Sequence, residues 1–181
     1  EPYPVMVAGR LMWMMDLMSV TSRYPGAAVA TIHGPDSAPY NALYERPAML
    51  SMLPAVDGAR ILDAGCGSGW YAERLLERGA RVDAIDASAG MAKFASDRIR
   101  RLPDQLSARA TVRVADLAKP LPFEQAVFAG TLSPLVLHYL KDWRPTLREF
   151  RRVLQPGGWL LFSTHHPAAD AKRFATEDYF R

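Results

Sequence analysis

Cysteine is almost absent. Cys66 is the only one, so no intrachain disulfide can form, and a reducing, cytoplasmic setting is expected. No apolar run is long enough to cross a bilayer. The stretch from Val5 to Val20 is rich in methionine, but Arg10 and Asp16 interrupt it and it falls short of a span. Its Leu11, Met12, Met15 and Met18 recur at three-to-four spacing, which predicts an amphipathic helix or lid packed on the domain. No secretory leader pattern is evident. The chain begins at Glu1 rather than at a methionine, which suggests that residues ahead of it were removed. Charge of one sign is scarce too: 22 Lys and Arg against 19 Asp and Glu leave a net charge of +3. A nucleic-acid binder carries a denser basic face, so no nucleic-acid partner is expected. Arg98-Ile99-Arg100-Arg101 and Arg148 with Arg151-Arg152 read as solvated helix faces. The histidines lack accompanying carboxylates at ligand spacing, and no metal site is expected.

The chain does hold a real core. It has 181 residues, 49% hydrophobic and 23% charged, which suits one soluble domain. Residues 1–39 read as an N-terminal helix and loop extension, and 40–181 as the domain proper. Tyr40 to Leu53 predicts a helix. From Arg60 onward, strands and helices alternate. Arg60–Ala64, Arg81–Ile85, Ala110–Val114, Val127–Ser133 and Trp159–Ser163 read as strands one to five. Gly69–Arg78 reads as a helix ended by Gly79. Ser88 is placed to cap the next helix, whose stripe is Met91, Phe94, Ala95 and Ile99. A last helix carries Pro145 near its start and Trp143, Leu147, Phe150 and Leu154 on its buried face. Gln155-Pro156-Gly157-Gly158 breaks it. Such alternation implies an α/β fold with a parallel sheet and right-handed crossovers.

Asp63-Ala64-Gly65-Cys66-Gly67-Ser68-Gly69 follows an apolar strand and opens a helix. Glycines at alternate positions let the backbone turn sharply and approach a ligand closely. Free N–H groups at the helix start favour a polar ligand there. A dinucleotide fingerprint needs its third glycine at position 70, where Trp70 stands. Asp86 ends strand two, where a carboxylate accepts hydrogen bonds from two ribose hydroxyls.

These segments resemble the class I S-adenosylmethionine-dependent methyltransferases, in particular the small-molecule branch related to ubiquinone-biosynthesis enzymes. Ile61 to Gly69 matches that family's first motif, and Val82 to Ser88 its second strand with the acidic end. Val114-Ala115-Asp116-Leu117 with Leu121-Pro122-Phe123, Leu137 to Trp143, and Leu147 to Gly158 resemble its later motifs in the right order. The resemblance covers about residues 40 to 167. It implies a Rossmann-like sheet of order 3-2-1-4-5 with helices on both faces, and S-adenosylmethionine as cofactor. Gly65, Cys66, Gly67 and Gly69 would surround the methionine moiety, with Asp63 orienting it. Asp86 and its neighbour Ala87 would hold the ribose. Asp116 would accept from the adenine amino group, and the Leu117 N–H would meet the ring. Ser133 would lie near the methionine amino group, with Tyr40 and Tyr44 as a cover.

The resemblance further implies direct in-line transfer to a small-molecule acceptor, in a dry site with aligned reactants. Trp70 or Tyr71 would favour a sulfonium by cation–π attraction. If the acceptor must lose a proton, His138 is the first candidate for general base, with His165 and His166 next. Phe128 is followed by Ala129 and Gly130, where the family has an aspartate. The chain stops at Arg181, before two further strands that the family carries. Strand five is then expected to be an apolar edge, which points to a homodimer through that edge or to a truncated chain. Two other readings stay open: a cofactor-binding domain without catalysis, and a nicotinamide-dependent oxidoreductase, which Trp70 and Asp116-Leu117 disfavour.

Overall fold

The computed structural model of the chain describes residues 5–7 and 41–164. Its six strands are β1 (Val5–Val7), β2 (Arg60–Ala64), β3 (Arg81–Asp86), β4 (Ala110–Val114), β5 (Phe128–Pro134) and β6 (Leu154–Ser163). They form one sheet in the order β1-β6-β5-β2-β3-β4, parallel throughout. The stretch β4-β3-β2-β5-β6 is the expected order 3-2-1-4-5. Between the strands lie α1 (Arg46–Met52), which continues a π-helical turn at Asn41–Glu45, α2 (Trp70–Glu77), α3 (Ala89–Ile99), the short α4 (Asp104–Ser107) and α5 (Trp143–Val153).

Strands buried on both faces need apolar residues at successive positions, not alternate ones. β2 shows this, with Ile61, Leu62, Asp63 and Ala64 all buried. Ile61 joins a core cluster with Met49, Leu75, Leu76, Ala95 and Ile99, from α1, α2 and α3. Leu62 joins the opposite cluster with Ile85, Phe128, Phe150 and Val153, on the α5 side. Burial of side chains such as Phe128 and Phe150 stabilises by about 1.5–3 kcal/mol each. Gly79 ends α2 with φ +90°. Its N–H donates to the Leu76 carbonyl and that of Ala80 to the Leu75 carbonyl, the double bond of a Schellman motif. Ser88 caps α3, its hydroxyl accepting from the Met91 N–H.

Several expectations are corrected. Val5–Val7 is a strand rather than the start of a helix, and it pairs with β6 from Val5↔Leu160 to Val7↔Phe162. The edge of strand five is therefore covered over those residues by the chain itself, which removes the argument for dimerisation there. The remainder of the methionine-rich stretch lies outside the described residues. In α3 the buried positions are Ala92, Ala95 and Ile99, while Phe94 is 57% exposed. In α5 they are Thr146, Phe150 and Val153, and Leu147 faces outward. Ala95, Ile99 and Phe150 lie on the buried faces as expected, while Phe94 and Leu147 do not. Gln155–Gly158 does end α5, but as an excursion inside β6: Phe128 pairs with Leu154 and Gly130 with Trp159. Arg152 is no solvated charge, since it donates to the Leu121 and Phe123 carbonyls and pairs with Glu149.

Gly130, a poor strand former, has a packing reason. A Cβ there would sit 2.2 Å from the Trp159 indole, so the ring occupies the space that a side chain would need. Gly130→Ala is expected to destabilise the protein by about 1–3 kcal/mol through overpacking, read from urea denaturation midpoints. An unchanged midpoint would show that the indole moves freely.

Candidate functional site

The strand order reverses at β2, which has β3 on one side and β5 on the other. Open α/β sheets bind ligands beyond the carboxyl ends of the strands at such a switch point. The loop of residues 65–69 leaves β2 there. The N–H groups of Gly65 and Cys66 both donate to the Ile85 carbonyl, at 2.8 and 2.9 Å, and tie the loop to β3. Gly65 (φ +82°) and Gly69 (φ +78°) are wedged: a Cβ on Gly65 would lie 2.3 Å from Val136, and one on Gly69 would lie 2.9 Å from Ala95. Gly67 (φ +52°) has open space where its Cβ would be. The loop is thus packed at both ends and open in the middle. Arg98 also holds it, donating Nε to the Ser68 carbonyl at 2.9 Å and pairing with Glu73. This corrects the reading of Arg98 as a solvated charge.

Two carboxylates stand beside the loop. Asp86 is polarised at both oxygens, with Oδ2 accepting from the Gly67 N–H at 2.9 Å and Oδ1 from the Ser88 N–H at 2.8 Å. Each oxygen keeps a further lone pair for a ligand. Asp63 is wholly buried, and neither oxygen has a hydrogen-bond partner among the described residues. Burial, with the nearby Asp86 charge, pushes its carboxyl up to about 7, opposed by the Ala72 backbone N–H, which lies near the carboxylate but outside hydrogen-bonding geometry. A buried acceptor without a donor is costly unless a ligand supplies one.

A raised carboxyl destabilises the fold once it is ionised. The penalty is absent below the ordinary pKa of 3.8, grows as pH rises, and is complete above about 7. Asp63→Asn is expected to stabilise the ligand-free protein by about 1–3 kcal/mol at pH 8 and by little at pH 4. Denaturation midpoints at the two pH values test this, and a gain independent of pH would contradict it.

The other expected residues fall as follows. Ala87 is exposed just after Asp86. Asp116 follows β4, and its Oδ1 accepts from the Ala118 N–H in a tight turn. Leu117 is buried, its carbonyl accepting from the Thr146 hydroxyl at 2.8 Å. Ser133 donates its hydroxyl to the Ala64 carbonyl at 3.0 Å, so the side chain joins β5 to the start of the loop. Cys66 is buried, and burial with the Asp63 and Asp86 charges pushes its thiol pKa up, away from thiolate chemistry. His138 lies half-buried on a turn at Leu137–Tyr139, its ring tilted against Tyr139 at 4.2 Å. Tyr44 is exposed. Tyr40, His165 and His166 lie outside the described residues. Among the described residues no group of His, Cys, Asp and Glu could hold a metal, and no helix is long and apolar enough to cross a membrane.

Sequence reading missed a buried polar bridge over the loop. Glu45 accepts from the Ser163 hydroxyl at 2.6 Å through Oε1 and from the Tyr71 hydroxyl at 2.7 Å through Oε2. Burial raises the Glu45 carboxyl, opposed by the Ser163 and Tyr71 hydrogen bonds and by Arg46. Arg46 is itself buried, its guanidinium 4.2 Å above the Trp70 ring. The signal available was the pair Glu45-Arg46 in the middle of an apolar helix, next to Pro47.

Residues 62–162 match the model of a methyltransferase domain. Among solved structures, the chain is similar to an S-adenosylmethionine-dependent methyltransferase from Mesorhizobium loti. The two are 39% identical with a TM-score of 0.63, over 70% of this chain and 55% of that one. Among curated proteins, it is 34% identical to a malonyl-[acyl-carrier protein] O-methyltransferase of Serratia marcescens, over 64% of this chain and 42% of that protein. It is 37% identical to one of the same name from Erwinia pyrifoliae, over 58% and 37%. The chain spans about half or less of the length of the curated relatives it matches.

Proposed function

The chain belongs to the methyltransferase-domain family, and from that premise we propose that it binds S-adenosylmethionine on the 65–69 loop and transfers its methyl group to a small-molecule acceptor. The observation that carries the reading is the loop itself, wedged at Gly65 and Gly69, open at Gly67, and flanked by one polarised and one unpartnered carboxylate. These residues fit the cofactor. Asp86 offers free lone pairs to vicinal ribose hydroxyls, and the unpartnered oxygens of Asp63 suit the donor-rich, cationic methionine end. Asp116 and the Leu117 N–H would meet the adenine, with the Ser133 backbone beside the methionine moiety. Tyr44, with Tyr40, would cover the bound molecule.

When bound, the cofactor supplies a methyl group on a sulfonium, for direct in-line displacement. The protein's part is to align the two reactants and exclude water. The relatives named as O-methyltransferases favour an acceptor oxygen. His138, on the turn after β5, would take the acceptor's proton where one must leave. Leu43, Tyr44 and Tyr139, all exposed apolar side chains, would line the acceptor's entrance at the carboxyl ends of the strands.

Calorimetric titration with S-adenosylhomocysteine tests the cofactor reading. Saturable binding that competes with S-adenosylmethionine is expected. Absence of binding to the cofactor product, with binding to NADH, would replace the reading with oxidoreduction.

A further inference from the structure

We propose that Glu45 is the positioning residue of the glycine loop, one carboxylate bracing both of its ends. The inference deepens the reading above and relies on it only for the identity of the ligand.

Two arms leave the carboxylate. The first runs from Oε1 to the Ser163 hydroxyl at the end of β6. That hydroxyl oxygen accepts from the Leu135 N–H at 3.0 Å, and the same N–H also reaches the Ser163 carbonyl at 3.0 Å. Leu135 has φ +53°, a left-handed conformation that costs an ordinary side chain and persists only where its surroundings hold it. The next residue, Val136, fills the space beside Gly65. The first arm therefore ends at the loop's first glycine. The second arm runs from Oε2 to the Tyr71 hydroxyl. Tyr71 is the second residue of α2, which opens directly after Gly69. Trp70 packs edge-on against Tyr71 at 4.9 Å and lies under Arg46. This arm ends at the loop's last glycine.

Helix packing alone gives no reason for a carboxylate here. Desolvating a charge is expensive, and an apolar side chain of the same volume would hold α1 on the sheet as well. What an apolar residue cannot do is accept two hydrogen bonds that diverge to two elements. The short distances and the buried Arg46 beside it keep that acceptor in place. The middle of the loop, at Gly67, is left open between the two braced ends.

Amide hydrogen exchange on the full chain without ligand, for wild type, Glu45→Gln, Glu45→Ala and Tyr71→Phe, tests the proposal. Glu45→Ala is expected to raise exchange about tenfold in peptides covering residues 65–69 and 134–137. Those covering β3 and β4 should keep their wild-type rates. Glu45→Gln, which retains one acceptor oxygen, should fall between. Tyr71→Phe should loosen the end at Gly69 and leave 134–137 unchanged. Affinity for S-adenosylhomocysteine should fall about fivefold or more in Glu45→Ala, with partial rescue in Glu45→Gln. Unchanged exchange in the loop, or a uniform rise over the whole sheet, would overturn the proposal. A wild type that binds no S-adenosylhomocysteine would overturn the cofactor reading instead, while the exchange pattern still decides the role of Glu45.

Discussion

Asp86→Ala is expected to lower affinity for S-adenosylhomocysteine at least about 100-fold, close to 2.7 kcal/mol. The magnitude follows from what one carboxylate does. A hydrogen bond to a charged group contributes about 1.5–3 kcal/mol, and two ribose hydroxyls would each lose theirs. The variant also leaves the Gly67 and Ser88 N–H groups without the acceptor they hold at 2.9 and 2.8 Å, so the open middle of the loop loses its tie to the end of β3. Asp86→Asn keeps one oxygen and should lie between. A second consequence separates this from general damage. Asp86 is one of the causes of the raised Asp63 carboxyl, so removing its charge should move the Asp63 titration downward from about 7. Calorimetry across pH 5 to 9 reads both effects. Affinity within about threefold of wild type would mean that the ribose is held elsewhere.

Gly65→Ala is expected to destabilise the protein by about 2–5 kcal/mol and to abolish cofactor binding, for two additive reasons. The left-handed backbone, φ +82°, costs an L side chain about 1–2 kcal/mol. The new Cβ would also lie 2.3 and 2.7 Å from the two Val136 methyls, and overpacking of this kind costs about 1–3 kcal/mol. Val136→Ala removes both methyls. The double variant Gly65→Ala with Val136→Ala should therefore recover the overlap part and keep the backbone part. Urea denaturation of the four proteins in this cycle measures the coupling. Strict additivity of the two changes would show that Val136 does not confine Gly65.

Much of this was legible in the residues. The glycine loop sits in its strand–turn–helix setting, Asp86 closes β3, and the parallel sheet follows from the alternation of strands with helices, while the strand order comes from the family resemblance. These features are local or follow from chain-connectivity rules, so one sequence carries them. The helix faces were harder. Phe94 and Leu147 are large and apolar, yet their neighbours Ala95 and Thr146 are the buried ones, because helix–sheet distance and not side-chain size decides which position faces inward. Gly130 read as a weak point. It is a fit to Trp159, a residue that only the sheet register brings alongside. Arg98, Arg152 and Glu45 were read as surface charge or passed over, since partners that hold them, Glu73, Phe123 and Ser163, lie 25, 29 and 118 positions away in the chain.

The hydrogen bond between Glu45 and Ser163 joins residues 118 positions apart, and that separation orders events in time. On a ribosome the glycine loop, α2 and β3 emerge well before β6. At roughly 5–20 residues per second, Glu45 waits about 6–24 s for its partner. Until Ser163 arrives, the arm from Glu45 to Ser163 is missing while the Tyr71 hydroxyl can already donate, and the turn at Leu135 has no hydroxyl to hold it. A nascent chain halted after β5 would carry every glycine of the loop and still lack its brace. Under the proposal for Glu45, tight ligand capture depends on β6, which emerges well after the loop that it braces.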